Sequence, residues 1–260
     1  MSEVIFCIDM FEFSEKSLEG AYAPSCEALN EFNLKAKECG LPVWMVAFDL
    51  AGIPGGFIPA GSGEERAALI GKLSEGPKGG FGGMKVTDDM PITLKRASSA
   101  FDNENLEKQL KDEGIAKIRL AGFSSNDCLA ATAIDAALRG FDVSVVEELA
   151  FGGHAVCGED RRQEILWFIE RRFCRQRNIP YAAPYGQSCL AAKEGNTAKI
   201  WRTVSAKLLR NEDARAVREM MSHPDYAALS RISTVRAARL LEKPRRHAIS
   251  ENFLPALAAR

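Results

Sequence analysis

Three residues stand where this chain could do chemistry. Asp9 ends the apolar run Val4-Ile-Phe-Cys-Ile8, Lys95 follows the run Pro91-Ile-Thr-Leu94, and Cys128 follows the polar turn Ser124-Ser125-Asn126. A thiol, a carboxylate and an ammonium group are the parts of a nucleophilic hydrolysis. Cys128 would attack an acyl carbon. Asp9 would take the thiol proton and return it to a leaving nitrogen, while Lys95 would hold the negative charges of both partners in place. The developing oxyanion would be met by backbone N–H groups of Cys128 and of the turn before it. Cys128 also opens an alanine-rich helix that stops at Gly140. Unpaired amides and a partial positive charge at a helix start push a thiol toward thiolate.

These residues can cooperate only if the chain brings them to one edge, and the flanking patterns argue that it does. Val4 to Ile8, Leu41 to Phe48, Pro91 to Leu94, Ile115 to Gly122 and Phe141 to Val146 are short apolar runs, the pattern of strands buried on both faces. A weaker sixth strand is expected near Ile179 to Ala183. Helical periodicity fills the intervals at Ser25 to Cys39, Asn103 to Asp112, Cys128 to Gly140 and Glu159 to Arg177. The fold class is therefore α/β: a doubly wound, Rossmann-like, mostly parallel sheet of five or six strands. If the strands lie in the order third, second, first, fourth, fifth, Asp9 and Cys128 are neighbours at the switch point, where such sheets bind ligands. Lys95 would start about 10 Å away, two strand spacings, a gap that a loop and a long side chain can close.

Two parts fall outside the alternation. Residues 49–90 form a Gly-rich insertion, expected as surface loop with one short helix near Glu64 to Leu73, or as a lid. It contains neither the phosphate-loop pattern nor the dinucleotide-binding glycine pattern. Residues 193–260 read as an appended C-terminal helical arm, with no strand alternating between its helices, so the body is expected to span residues 1–192. The arm holds 14 Lys/Arg against 7 Asp/Glu in a chain of formal net charge −1, which leaves the body acidic. Its arginines lie along amphipathic helices with few aromatics between them. That pattern argues against nucleic acid and for a homo-oligomer contact or a clamp on the acidic body.

No run approaches the ~18 apolar residues of a membrane span, and the N-terminus lacks a signal-peptide pattern, so a cytoplasmic protein without a membrane partner is expected. The seven cysteines contain no Cys-x-x-Cys pair, and His154, His223 and His247 are far apart in sequence. Neither a disulfide framework nor a zinc cluster is suggested, and no metal or other cofactor is expected. His154, in a Gly152-Gly-His-Ala loop after the fifth strand, is close enough to the catalytic edge to touch substrate.

Asp9 after its apolar run, Lys95-Arg-Ala-Ser-Ser-Ala-Phe101, and Ala121-Gly-Phe-Ser-Ser-Asn-Asp-Cys128 followed by Thr132-Ala133, Asp135-Ala136 and Gly140 together resemble the isochorismatase-like cysteine hydrolases. The resemblance runs from Val4 to about Ala192. It implies a catalytic triad of Asp9, Lys95 and Cys128, a cis peptide at Phe123-Ser124, and an oxyanion hole built from the Ser124 and Cys128 amides. Family members usually read Asp-x-Gln-x-x-Phe at the first block, where this chain has Asp9-Met-Phe-Glu-Phe-Ser14. An altered substrate pocket is expected, which Phe11, Phe13 and Trp44 could line unless they pack the core. The metal-binding Asp-x-His-x-x-His of nicotinamidases would fall near Asp49, but Asp49-Leu-Ala-Gly-Ile-Pro54 has no histidine. The implied activity is hydrolysis of a C–N bond in a small carbamoyl, ureido or carboxamide molecule. The alternatives are a catalytically inactive member used for protein binding or assembly, and a vinyl-ether hydrolase that would not need Cys128.

Overall fold

Alternate residues of the first strand enter different cores, and that alternation defines the architecture. The computed structural model describes residues 2–10, 18, 21–49, 51–75, 81–152, 161–179, 181, 188–190 and 212–242. Strand β1 (Ser2–Ile8) sends Val4, Phe6 and Ile8 into one apolar cluster and Ile5 and Cys7 into another, all five fully buried. Strand β2 (Val43–Phe48) divides in the same way, with Trp44 and Val46 on one side and Val43, Met45 and Ala47 on the other. A sheet covered on both faces follows, and continuous apolar strands are what such burial requires.

Helix α1 (Tyr22–Glu38) covers one face through Cys26, Leu29, Phe32 and Ala36. Within the 49–90 insertion, strand β3 (Phe57–Ile58) and helix α2 (Glu64–Ser74) precede strand β4 (Ile92–Lys95). The buried Arg66 of α2 donates to the carbonyls of Thr87 at 3.2 Å and Met90 at 2.7 Å, tying the insertion to the approach to β4. Helix α3 (Leu106–Asp112) leads into strand β5 (Ile115–Phe123). Helix α4 (Cys128–Leu138) follows and is buried along almost its whole length, including alanines that let it lie close to the sheet. Strand β6 (Asp142–Phe151) and helix α5 (Arg161–Gln176) complete the second half.

The sheet runs β3-β4-β2-β1-β5-β6-β7. Its central order is the expected one, and every pairing is parallel except β3 with β4. It has seven strands rather than five or six. The antiparallel edge β3 is only two residues long and lies inside the Gly-rich insertion, where no apolar run announces it. The other edge, β7 (Ile232–Val235), comes from the stretch expected to be wholly helical and pairs with β6 from Val143↔Ile232 to Val146↔Val235. The β-branched residues Ile232, Thr234 and Val235 carried that signal. Helices α6 (Glu212–Ser222) and α7 (Ala237–Leu241) flank β7, so part of the arm belongs to the body. The expected strand near Ile179 to Ala183 does not form at Ile179 or Tyr181; its other residues lie outside the described set. Among the described residues, no helix is long and apolar enough to cross a membrane.

Gly122 adjusts the sheet where it matters most. Its φ is +112°, and a Cβ there would fall 2.2 Å from the Ile8 carbonyl oxygen. Only glycine allows β5 to pass this close to the end of β1, immediately before Asp9.

Candidate active site

The parallel register aligns the carboxyl ends of the strands. Ile8 pairs with Val46 and with Gly122, and Phe48 pairs with Lys95. Asp9 leaves β1 at φ +49°, a left-handed conformation that a short polar side chain tolerates better than most. Its carboxylate is buried, and its Oδ2 lies 2.8 Å from Lys95 Nζ.

Lys95 crosses β2 to reach Asp9, and its Nζ sits 3.7 Å from the centroid of the Phe48 ring on the way. It also donates to the carbonyls of Ala97 at 3.1 Å and Ser98 at 3.0 Å. One carboxylate and two carbonyls thus surround the ammonium group. The Lys95 side chain is 0% exposed, so a full positive charge is held out of water by one carboxylate, two carbonyls and a ring face.

Cys128 opens α4 next to this pair, and its thiol lies within hydrogen-bonding reach of both the Asp9 carboxylate and the Lys95 ammonium. The sequence suggests a thiol biased toward thiolate by its helix start. Burial outweighs that bias: it pushes the thiol up to about 12, Asp9's negative charge pushes the same way, and Lys95 opposes them. Burial thus favours the protonated thiol beside the Asp9 carboxylate.

The Phe123–Ser124 peptide is cis. In the turn that follows, the Ser124 carbonyl accepts from the amides of Asp127 and Leu129, each at 3.1 Å, and Ser125 N–H donates to the Phe151 carbonyl at 2.7 Å. Among the described residues, the amides of Ser124 and Cys128 donate to no acceptor. They stand on either side of the turn Ser124-Ser125-Asn126-Asp127.

Asp49 is held by its neighbours. Its Oδ1 accepts from Ile53 N–H at 2.9 Å, and its Oδ2 accepts from Arg96 Nε at 3.2 Å and Nη2 at 3.0 Å. Both oxygens are engaged, and among the described residues no three His, Cys, Asp or Glu side chains gather to hold an ion. The donor set does not fit a metal.

The structure brings Asp9, Lys95 and Cys128 together, whereas Phe11, Phe13 and His154 lie outside the described residues. Trp44, which could have lined a pocket, is core: it is buried and stacks on Phe6 with ring centroids 6.0 Å apart. Sequence reasoning missed Phe48, Ser98, Asp127 and Arg172. Phe48 could have been found by aligning strand ends, since it is the register partner of Lys95. Arg172 sits on α5, remote in sequence, and nothing near it marks it out.

A doubly wound sheet with a buried thiol, carboxylate and ammonium gathered at its carboxyl edge defines the chain as an α/β protein. The chain belongs to the isochorismatase family and is a hydrolase: the family model described as "Isochorismatase domain" matches residues 4–173. Among curated proteins none matches significantly. Three solved structures illustrate the likeness. A cysteine hydrolase from Pseudomonas syringae pv. phaseolicola is 13% identical, with 94% of this chain and 93% of that one covered and a TM-score of 0.49. A pyrazinamidase of Pyrococcus horikoshii in complex with zinc is 18% identical, covering 91% and 99%, with a TM-score of 0.45. An N-carbamoylsarcosine amidase from Thermoplasma acidophilum is 20% identical, covering 67% and 92%, with a TM-score of 0.41.

Proposed function

We propose that this hydrolase is a cysteine-dependent amidohydrolase that cleaves a C–N bond of a small carbamoyl, ureido or carboxamide substrate through an acyl-enzyme on Cys128. The observation that carries the reading is the meeting of the Cys128 thiol with an Asp9–Lys95 pair whose charged atoms are 2.8 Å apart. Asp9 accepts the thiol proton as Sγ forms its bond to the acyl carbon. Lys95 keeps Asp9 ionised and in place until that moment. The carbonyl oxygen takes up the electron pair and is stabilised by the Ser124 and Cys128 amides. Collapse of this intermediate breaks the C–N bond as Asp9 returns the proton to nitrogen, and the amine or ammonia departs. Water, deprotonated by Asp9, then cleaves the thioester and regenerates the thiol.

The test is amine or ammonia release across a panel of carbamoyl, ureido and carboxamide compounds, with mass spectrometry to trap the thioester. Cys128→Ser and Asp9→Asn each abolish turnover while near-UV circular dichroism stays native. Full activity in either variant removes the mechanism, and turnover of a vinyl ether that survives the loss of Cys128 would establish the rival chemistry. We also propose that the basic arm makes a homo-oligomer contact. Light scattering that finds the full-length chain monomeric refutes the contact.

A further inference from the structure

Asp127 immediately precedes the nucleophile and occupies the N-cap position of α4, yet its side chain makes no capping hydrogen bond. An aspartate at an N-cap ordinarily accepts from the first-turn amides and offsets the positive end of the helix. Here Asp127 Oδ1 instead accepts from Ser98 Oγ at 3.1 Å and from Arg172 Nη1, which reaches across from α5. Arg172 is mostly buried and Asp127 about half exposed, with side-chain exposures of 18% and 48%, so the arginine is the fixed partner and the carboxylate the one free to turn. Ser98 belongs to both halves of the site: its carbonyl accepts from Lys95 Nζ at 3.0 Å, while its hydroxyl holds Asp127.

We propose that Arg172, with Ser98, is a positioning device that keeps the Asp127 carboxylate turned away from the start of α4, leaving the Cys128 amide and the positive helix end to act on the sulfur and the oxyanion. Without Arg172, the carboxylate is free to swing onto the first-turn amides. A negative charge then replaces the helix end's positive field beside a thiol that already neighbours both Asp9 and Lys95. The inference rests on the reading of Cys128 as nucleophile, but it is tested without a substrate.

The probe is iodoacetamide, applied to the full-length chain between pH 7 and 10, with the rate read by mass spectrometry on the peptide that contains Cys128. Arg172→Gln slows alkylation of Cys128 by about threefold to tenfold and moves its pH profile upward. Arg172→Lys, which keeps the charge, stays within about twofold of the wild type. Ser98→Ala removes one hydroxyl and slows the reaction in the same direction by less, so the inference remains testable if Arg172→Gln fails to fold. The deciding variant is Arg172→Gln with Asp127→Ala, where no carboxylate is left to swing: its rate returns to that of Asp127→Ala alone. A plain structural tie makes the opposite forecast, with the double variant no faster than Arg172→Gln. That result, or an unchanged rate in both Arg172→Gln and Ser98→Ala, overturns the proposal. If the alkylation pattern holds while no C–N compound is turned over, the proposed function fails and the positioning role stands.

Discussion

Lys95→Met isolates the energetic cost of assembling this site. The side chain has 0% exposure; its Nζ is ion-paired with Asp9 Oδ2 at 2.8 Å and donates to two carbonyls at 3.0 and 3.1 Å. Methionine has similar volume and leaves no large cavity, so the loss is almost entirely electrostatic. It strands a buried carboxylate and two carbonyl oxygens without their common donor. Breaking a buried pair by removing one partner costs about 3–5 kcal/mol, a large part of the roughly 5–15 kcal/mol that holds a domain folded. Asp9→Asn is milder, since Lys95 keeps its two carbonyls and gains an amide oxygen. Combining the two changes removes both charges, so the double variant should be more stable than the sum of the single losses predicts, by at least about 2 kcal/mol of coupling. Urea unfolding of the wild type, both single variants and the double variant, followed by tryptophan fluorescence, measures each loss and the coupling. A cost below about 1 kcal/mol for Lys95→Met, or single losses that simply add, would refute an electrostatically coupled pair.

Three further outcomes follow from the geometry. Because burial and Asp9 push the Cys128 thiol up to about 12, its alkylation rate in the wild type should keep climbing from pH 8 to pH 10.5; a plateau below pH 9 would contradict the described environment. Glu170, fully buried on α5, accepts from Cys189 N–H at 3.0 Å, Leu190 N–H at 2.9 Å and Tyr226 Oη at 2.8 Å, and burial raises it from 4.5 to about 7. Folding therefore favours its protonated form, a contribution fully present below 4.5 and lost as pH rises through about 7. Between those values the wild type should lose about 3 kcal/mol more stability than Glu170→Gln, and parallel stability curves for the two would rule this out. Gly122→Ala places a Cβ 2.2 Å from the Ile8 carbonyl at a φ of +112°, so it should lower stability by more than about 1 kcal/mol in urea titration and slow turnover by displacing Asp9; a neutral substitution would contradict the close approach.

Much of this was legible along the chain because it depends on local pattern. Apolar runs at Val4 to Ile8 and Leu41 to Phe48 specify strands buried on both faces, since only a two-sided core rewards side chains of the same kind on alternate positions. Placing Asp9, Lys95 and Cys128 at one edge needs only the rule that parallel strands share a direction. Strand β3 was not legible, since a two-residue edge has no periodicity, and the β-branched signal of Ile232 to Val235 is too short to stand out from the helical pattern around it until β6 pairs with it.

Within the site the division is sharper. The sequence by itself determined which groups could react and where the backbone turns. The tertiary structure alone decided their electrostatic state, because burial is a property of the whole fold and not of a residue's neighbours along the chain. The helix start draws Cys128 toward thiolate, a local effect of the order of 1 kcal/mol, and exclusion from water outweighs it. Asp127 stands at the N-cap position of α4, yet its carboxylate accepts from two partners, distant by 29 and 45 residues. Long-range packing chooses among the states that local sequence permits, and here it favours a protonated thiol beside a buried carboxylate and leaves Asp127 without a capping bond.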